Sequence, residues 1–501
     1  MANEKPKADD VQHIEAVVGY GTSEPAIAAP KRAADGTLLV PQPSDDPRDP
    51  LNWGTARKLL MLFIICLSSF SSSILAMANG SGLAPQATLY RTTQLKLSYS
   101  ICAAVSGLAA GPFIWSPLAK CFGKSGITFW SLILGMVCNI WSAVLTSPDQ
   151  YNNFVVSRFF ACLLGSAATT VGSTMVVETF FLHDRGKALG AYVVSVLFGV
   201  AAGPTFSGFI VQSVEWPVQF WYAAGLCAFS ALLCLLFLEE TAWPRHGSTS
   251  SPVPELPSRY LARRVAVYLF TVRVTPKRTP AEGLGLFLLP FRILCTPAIV
   301  LLGIPLMAFF GWIVAISTLL PVFLQEPIEH GGFVSGYLVN DRLPLWICNR
   351  NGGQWRPEYR LYCLWVPVLF IYPPFLGLFG ACLHYHLHYM VLAVSMFFIS
   401  FSGMSCVSPC VNYAVEALGP ELANETTVAL NLYRLLFGIV IPFFIEPWME
   451  VMGNGWTFGS MAVFTVVAFI PIVVLMAWGY RVRKLSFTAA ETATEDGMVV
   501  A

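Results

Sequence analysis

The sequence predicts an all-α membrane protein, built as two bundles of spanning helices joined by a long polar loop. Three observations predict it. The chain is 55% hydrophobic and only 12% charged, a balance typical of membrane proteins rather than soluble domains. Apolar stretches of about 20 residues, long enough to cross a hydrocarbon core as a helix, recur along it. A polar stretch rich in Pro, Ser and Arg divides them into two groups, as in two packed bundles with a site between them.

Taken in order, residues 1–57 form a polar tail read as disordered and cytoplasmic. It has no charged start followed by a short apolar run and a cleavage site, so the first span serves as the insertion signal. The first bundle, 58–240, holds span 1 at Leu59–Met77, span 2 at Leu97–Leu118 and span 3 at Ile127–Leu145. Span 4 follows at Phe154–Val177, span 5 at Gly186–Ile210 and span 6 at Phe220–Leu238. A central cytoplasmic loop occupies 241–291. The second bundle, 292–480, carries span 7 at Ile293–Phe323 and span 9 at Leu361–Cys382. Span 10 lies at Met390–Val411, span 11 at Val428–Phe444 and span 12 at Phe458–Tyr480, with a cytoplasmic tail at 481–501.

Most of the 30 lysines and arginines fall in the tails, the central loop, the loops at Lys120/Lys124 and Arg185/Lys187, and the segment Arg342–Arg360. By the positive-inside rule these sites and both termini are cytoplasmic. The eighth crossing does not fit this pattern. Span 7 ends outside, before Gln325-Glu326-Pro327, and the chain is basic again from Asn340-Asp341-Arg342. Only Gly331–Val339 lies between, and such a helix covers roughly 13 Å of a core about 30 Å thick. The sequence therefore predicts about eleven full spans and a truncated eighth near 331–339.

Net charge is +1, which offers no basic surface for nucleic acid. The 13 cysteines are scattered, mostly within apolar runs, where they act as small hydrophobes. No paired carboxylates, nucleophile elbow or metal-ligand set appears, so an enzyme is disfavoured and no cofactor or metal is expected. His384, His386 and His388 alternate as on one side of a strand, but no Cys or carboxylate accompanies them, which favours a wetted interfacial loop. Phe122-Gly123-Lys124-Ser125 looks like the end of a phosphate loop, yet Leu118 occupies the place of its first glycine.

Span 5 carries the most informative pattern: Gly190, Gly199, Gly203, Pro204 and Gly208. Glycines four apart flatten one helix face for close packing in lipid, and Pro204 is expected to bend the helix. The series resembles the antiporter motif of the major facilitator superfamily, with Ser207 in place of a further glycine. The resemblance extends over nearly the whole chain from Asp46. Asp46-Pro47-Arg48-Asp49-Pro50-Leu51-Asn52-Trp53 looks like the box before span 1 in fungal members. Gly111-Pro112 with Trp115 and Pro117 resembles the span 2 run, and Arg158-Phe159 with Gly165-Ser166 the span 4 arginine motif. Phe220-Trp221, Glu239-Glu240-Thr241, Asn351-Gly352-Gly353, Asn412-Tyr413 and Asn431 with Arg434 resemble further stretches of that group.

This resemblance implies a major facilitator fold of two six-helix bundles and a proton-coupled exporter of a drug, toxin or secondary metabolite. An uptake permease, or a non-transporting protein lacking span 8, are the alternatives. The implied partners are a small-molecule substrate, protons and the bilayer, and the protein is expected to be a monomer of the plasma membrane. Arg158, Glu178, Asn431 and Arg434 are candidates for the substrate or proton pathway. Arg158 either lines a path, as a charge within a span does by default, or snorkels to the headgroups. Glu178 either pairs with Arg185 or Lys187 in a gating role or is a solvated acid at the helix end. Lys120, Gly123, Lys124, Asp341 and Arg342 are gating-loop candidates, although Lys120 stands where the superfamily usually has an acid. Span 5 is expected to pack across the interface on span 8, leaving the Gly199–Gly203 face exposed when span 8 is missing. Asn79 heads a glycosylation sequon close to the membrane.

Overall fold

The computed structural model describes residues 41–242, 280–323 and 359–482 apart from a few single positions, together with Val267 and Tyr268. Gly331–Val339, Asp341, Arg342, Asn351 and most of the central loop lie outside the described residues. Among the described residues there are no strands, and eleven helices are long and apolar enough to cross a membrane.

The first bundle follows the predicted order: Thr55–Met77, Gln94–Phe122, Lys124–Val144, then Tyr151–Gly165 and Ala167–Thr179 as two pieces of span 4. Leu182–Ser213 and Val218–Phe237 complete it. The helix of span 5 runs unbroken through Pro204. Span 1 forms the centre, and its serine run explains how. Ser69 donates to the Ala168 carbonyl at 3.0 Å and Ser72 to that of Gly165 at 2.6 Å, while Ser71 and Ser230 share a hydrogen bond of 2.6 Å. Small side chains let these helices approach, and each hydroxyl finds a partner where water is absent.

Span 2 lies as tightly against span 4. A Cβ on Gly111 would stand 2.9 Å from the Leu163 carbonyl oxygen, and Trp115 Nε1 donates to the same carbonyl at 2.8 Å. This is the physical content of the glycine and tryptophan in the span 2 run. Nearer the outer loops, burial pushes the Tyr90 phenol well up, so it remains a donor to the Leu145 carbonyl at 2.6 Å.

In the second half, part of the predicted central loop is helical: Pro280–Leu294 precedes span 7, and Pro297 opens the span 7 helix, Pro297–Phe323. Span 9 begins with a π-helical stretch, Val366–Ile371, that contains Pro367, and continues as Tyr372–Tyr385. A proline with no N–H to give is a recognised cause of such a bulge. Span 10 is Tyr389–Leu418. Spans 11 and 12 are linked more closely than their predicted bounds imply. Helix extends over Ala423–Ala468 and breaks only at Gly453, whose φ of 75° lies in the left-handed region that suits glycine. Aromatic rings settle on glycines here: Tyr433 on Gly303, Phe437 on Gly311 and Phe458 on Gly380.

Span 5 corrects one expectation. Gly199 and Gly203 are packed against span 1 of the same bundle: a Cβ on Gly199 would stand 2.7 Å from the Phe70 carbonyl oxygen, and one on Gly203 3.0 Å from Met77 Cβ. Gly190 meets nothing, and Gly208 is half-buried. The row is therefore two packing glycines inside one bundle. The exposed side of span 5 carries Val193, Val194, Phe198, Phe206 and Phe209. Only 25% of its most apolar window is buried, the smallest share among the eleven spans.

Candidate substrate path and the seam between the bundles

The two bundles meet along spans 2 and 11. Val105 and Ala109 of span 2 pack on Leu435, and the Tyr99 ring stacks on Phe443 with centroids 4.6 Å apart. Phe113 adds a ring contact with Phe291, 4.7 Å away.

Ion pairs gather at the end that carries the basic loops. Lys120 Nζ lies 2.5 Å from Glu425 Oε1, joining span 2 to the start of span 11, and Glu425 is 2% exposed. One residue before it, Asn424 donates to Ser116. The base that stands where the resemblance leads one to expect an acid is thus matched by an acid on the opposite bundle.

Lys124 pairs with Glu178, whose other oxygen accepts from Thr241 Oγ1 at 2.8 Å. This corrects the expected pairing with Arg185 or Lys187: Arg185 donates to the Val177 carbonyl at 3.2 Å, and Lys187 lies 3.7 Å from Asp184. Gly123, with φ of 99°, makes the turn between spans 2 and 3, and a Cβ there would meet Glu240 Oε2 at 2.6 Å. Glu240 caps span 3, accepting from Lys124 N at 3.0 Å, Ser125 N at 3.1 Å and Ser125 Oγ at 2.8 Å. Its role was hidden in the sequence because the acid sits 115 residues from the helix it caps.

Arg158 is fully buried, at 0% exposure, which removes the snorkelling alternative. Nη1 donates to Asn139 Oδ1 at 2.9 Å, and Nη2 to the carbonyls of Leu75 at 2.9 Å and Ala76 at 3.1 Å. The Phe220 ring lies 5.0 Å from its Cζ. No carboxylate faces it among the described residues; the partly negative C-terminal end of span 1 does.

A second buried polar group sits at the same end of the bundle. Asn79 Nδ2 donates to Ser100 Oγ at 2.9 Å, Gln86 Nε2 donates to Asn79 Oδ1 at 2.7 Å, and Ser207 donates to Gln219. Asn79 is 3% exposed, so its amide is committed to the bundle in the folded protein and unavailable to carry a glycan. Ser207 thereby gains a role that the glycine usual at its place would not supply.

Arg434 stands eleven residues from each end of the span Ala423–Ile445, at mid-membrane depth. Its Nη2 donates to Asn431 Oδ1 at 2.7 Å, and the Phe310 ring of span 7 lies 4.7 Å from its Cζ. Nε is buried without a partner. Of the four pathway candidates, Arg434 and Asn431 are therefore joined at the seam, Glu178 lies at its basic end and Arg158 lies inside the first bundle. Among the described residues no group of three or more His, Cys, Asp or Glu could hold a metal ion.

A family model described as Major Facilitator Superfamily matches residues 61–445. The chain is similar to the MFS-type transporter penM of Penicillium rubens, 25% identical over 90% of this chain and 91% of that one. It is also similar to the Multidrug transporter TPO1_1 of Candida glabrata, 25% identical over 88% and 79%. An uncharacterized MFS-type transporter of Schizosaccharomyces pombe aligns over 540 positions at 25% identity, covering 93% of this chain and 90% of that one. Among solved structures, a POT family transporter in complex with 5-aminolevulinic acid matches with a TM-score of 0.60 at 13% identity, covering 85% of this chain and 96% of that one. The proton:xylose symporter XylE matches with 0.52 at 14%, covering 84% and 96%. These structural likenesses establish the fold, and the match of the family model over most of the chain establishes the lineage: this protein belongs to the Major Facilitator Superfamily.

Proposed function

We propose that the chain is a secondary active transporter that exports a small organic molecule, a drug, toxin or secondary metabolite, in exchange for protons. It works as a monomer in the plasma membrane with both termini in the cytoplasm. The observation that carries this reading is the Lys120–Glu425 pair, which fastens the two bundles at their basic end. Two bundles rocking about a central site alternate its exposure, and a contact confined to one end is what such a motion makes and breaks. Opening of that end requires the pair to part, and this is the step to which the proton gradient is coupled. Similarity to a named multidrug transporter supports a drug-like cargo. The exposed face of span 5 favours one other reading, a protein that no longer transports because span 8 is missing.

Growth of expressing cells against a toxin panel, with and without an uncoupler, tests the proposal. Expression is expected to confer resistance that the uncoupler abolishes. Lys120→Glu, which sets two acids face to face, is expected to lose that resistance, and adding Glu425→Lys to restore it. Resistance indifferent to the uncoupler, or sensitisation to the compounds, would sink the exporter.

A further inference from the structure

Among the described residues Arg434 has no counter-ion, and it stands midway along its span. Its guanidinium has five N–H donors, and the described residues supply one acceptor, the neutral Asn431 amide, and one ring face, Phe310. Among the described residues no carboxylate pairs with it, and its Nε–H is buried with no acceptor at all. Arg158 makes the contrast plain. The same side chain, buried in the first bundle, is held by three oxygens from two other helices. A charge left so poorly matched within a spanning helix is expensive, and there it marks a path for an ion or substrate.

Its place on the helix fits that role. Tyr433 and Phe437 of span 11 turn toward Gly303 and Gly311 of span 7, while Leu435 packs on Val105 and Ala109 of span 2. Residues on a helix advance about 100° each, so Arg434 falls between the face on span 7 and the face on the opposite bundle. It stays partly exposed there, at mid-membrane depth, beside an aromatic ring. A ring face with a guanidinium over it, in otherwise apolar surroundings, complements a flat apolar body bearing one negative group.

We infer that Arg434, oriented by Asn431 and Phe310, binds the acidic group of the transported molecule, so that the substrates are lipophilic organic anions, carboxylates or comparably acidic groups on an apolar body. The substrate then supplies the missing counter-ion, and the pair forms only when the site is loaded. This rests on the transport reading above, but it is tested by binding, which needs neither a gradient nor a direction.

Matched probe sets on one-, two- and four-ring aromatic bodies each comprise a carboxylate, its methyl ester and the corresponding primary amine. Binding to the detergent-purified full-length protein is followed by ligand-induced thermal stabilisation and tryptophan fluorescence. The wild type is expected to bind at least one carboxylate about tenfold or more tightly than its ester and its amine. Arg434→Gln is expected to erase that preference, and Arg434→Lys, a point charge without the fork, to keep part of it. Asn431→Leu serves as the second variant, with the charge intact and the guanidinium no longer oriented, and should weaken carboxylate binding less than Arg434→Gln. Binding of esters or amines as tight as that of every carboxylate overturns the inference in the wild type alone, whatever the variants do. Undiminished carboxylate preference in a folded Arg434→Gln protein overturns it equally. Carboxylate binding without proton-driven flux in vesicles would overturn the exporter reading and leave this one standing.

Discussion

Arg158 holds a charge inside the first bundle with amide and carbonyl oxygens in place of an acid. Removing it orphans the Leu75 and Ala76 carbonyls at the end of span 1 together with the Asn139 amide oxygen, and each buried unmatched group costs about 1–3 kcal/mol. Arg158→Ala is therefore expected to lower the melting temperature of the purified protein strongly. Arg158→Lys should lower it less, since one ammonium keeps the charge but cannot present the planar fork that reaches two helices at once. A transport defect in Arg158→Ala with an unchanged melting curve would refute this stapling role and return the residue to the proton path. The sequence makes the residue conspicuous, because arginine within a span is rare. It does not disclose the role, because the partners at Leu75 and Ala76 are backbone oxygens that any residue there would provide. The same holds at Lys120. Its charge is plain in the sequence, but Glu425 lies 305 positions further on, and only the packing of span 2 on span 11 makes them a pair.

At the scale of the helix, periodicity and length are readable because the bilayer fixes both, and the spans of the first bundle fall within a few residues of expectation. Which neighbour a face packs on is another matter. The glycines of span 5 announce a close approach, yet the approach is to span 1, whose serines accept it as readily as a helix of the other bundle would. The glycine positions now separate by their surroundings. At Gly199 an added methyl meets the Phe70 carbonyl oxygen and Ser73 Cβ, both at 2.7 Å, and a backbone oxygen cannot swing aside. At Gly190 the space is open, and alanine is better than glycine in a helix by about 1 kcal/mol. Gly199→Ala should thus destabilise the protein, while Gly190→Ala should be neutral or slightly stabilising, as read from the loss of folded monomer on heating in detergent. Equal behaviour at the two sites would mean that span 5 does not lie on span 1 as described. The break between spans 11 and 12 at Gly453 is legible after the fact, as a glycine between two apolar runs, but so are many glycines in this chain that do not turn.

For the whole molecule, the number of crossings and the placement of the ends are bound by parity. Eleven spans put the two termini on opposite sides of the membrane, and twelve put them on the same side. On the topology proposed above, with the basic residues of both tails in the cytoplasm, the charges call for a crossing beyond the eleven described helices. Residues 324–358 are the stretch between two spans where the charges demand it, and the apolar part, Gly331–Val339, is about half the length needed. A stretched crossing would leave backbone groups unpaired in hydrocarbon at several kcal/mol each. The relative from Schizosaccharomyces pombe aligns over more positions than this chain has residues, so it carries stretches with no counterpart here. We therefore expect the transcript to encode roughly 20–30 further residues between Pro327 and Gly331, enough for a full eighth span. Tags at each end, probed from outside intact cells, provide the complementary measurement. Both should be shielded when the protein is expressed from the complete transcript, and both should become accessible only on permeabilisation. If the 501-residue chain is the true product and its C-terminal tag is exposed at the cell surface, the protein has eleven crossings, the cytoplasmic assignment of its second tail is wrong, and the Lys120–Glu425 seam must work in a bundle with no eighth helix.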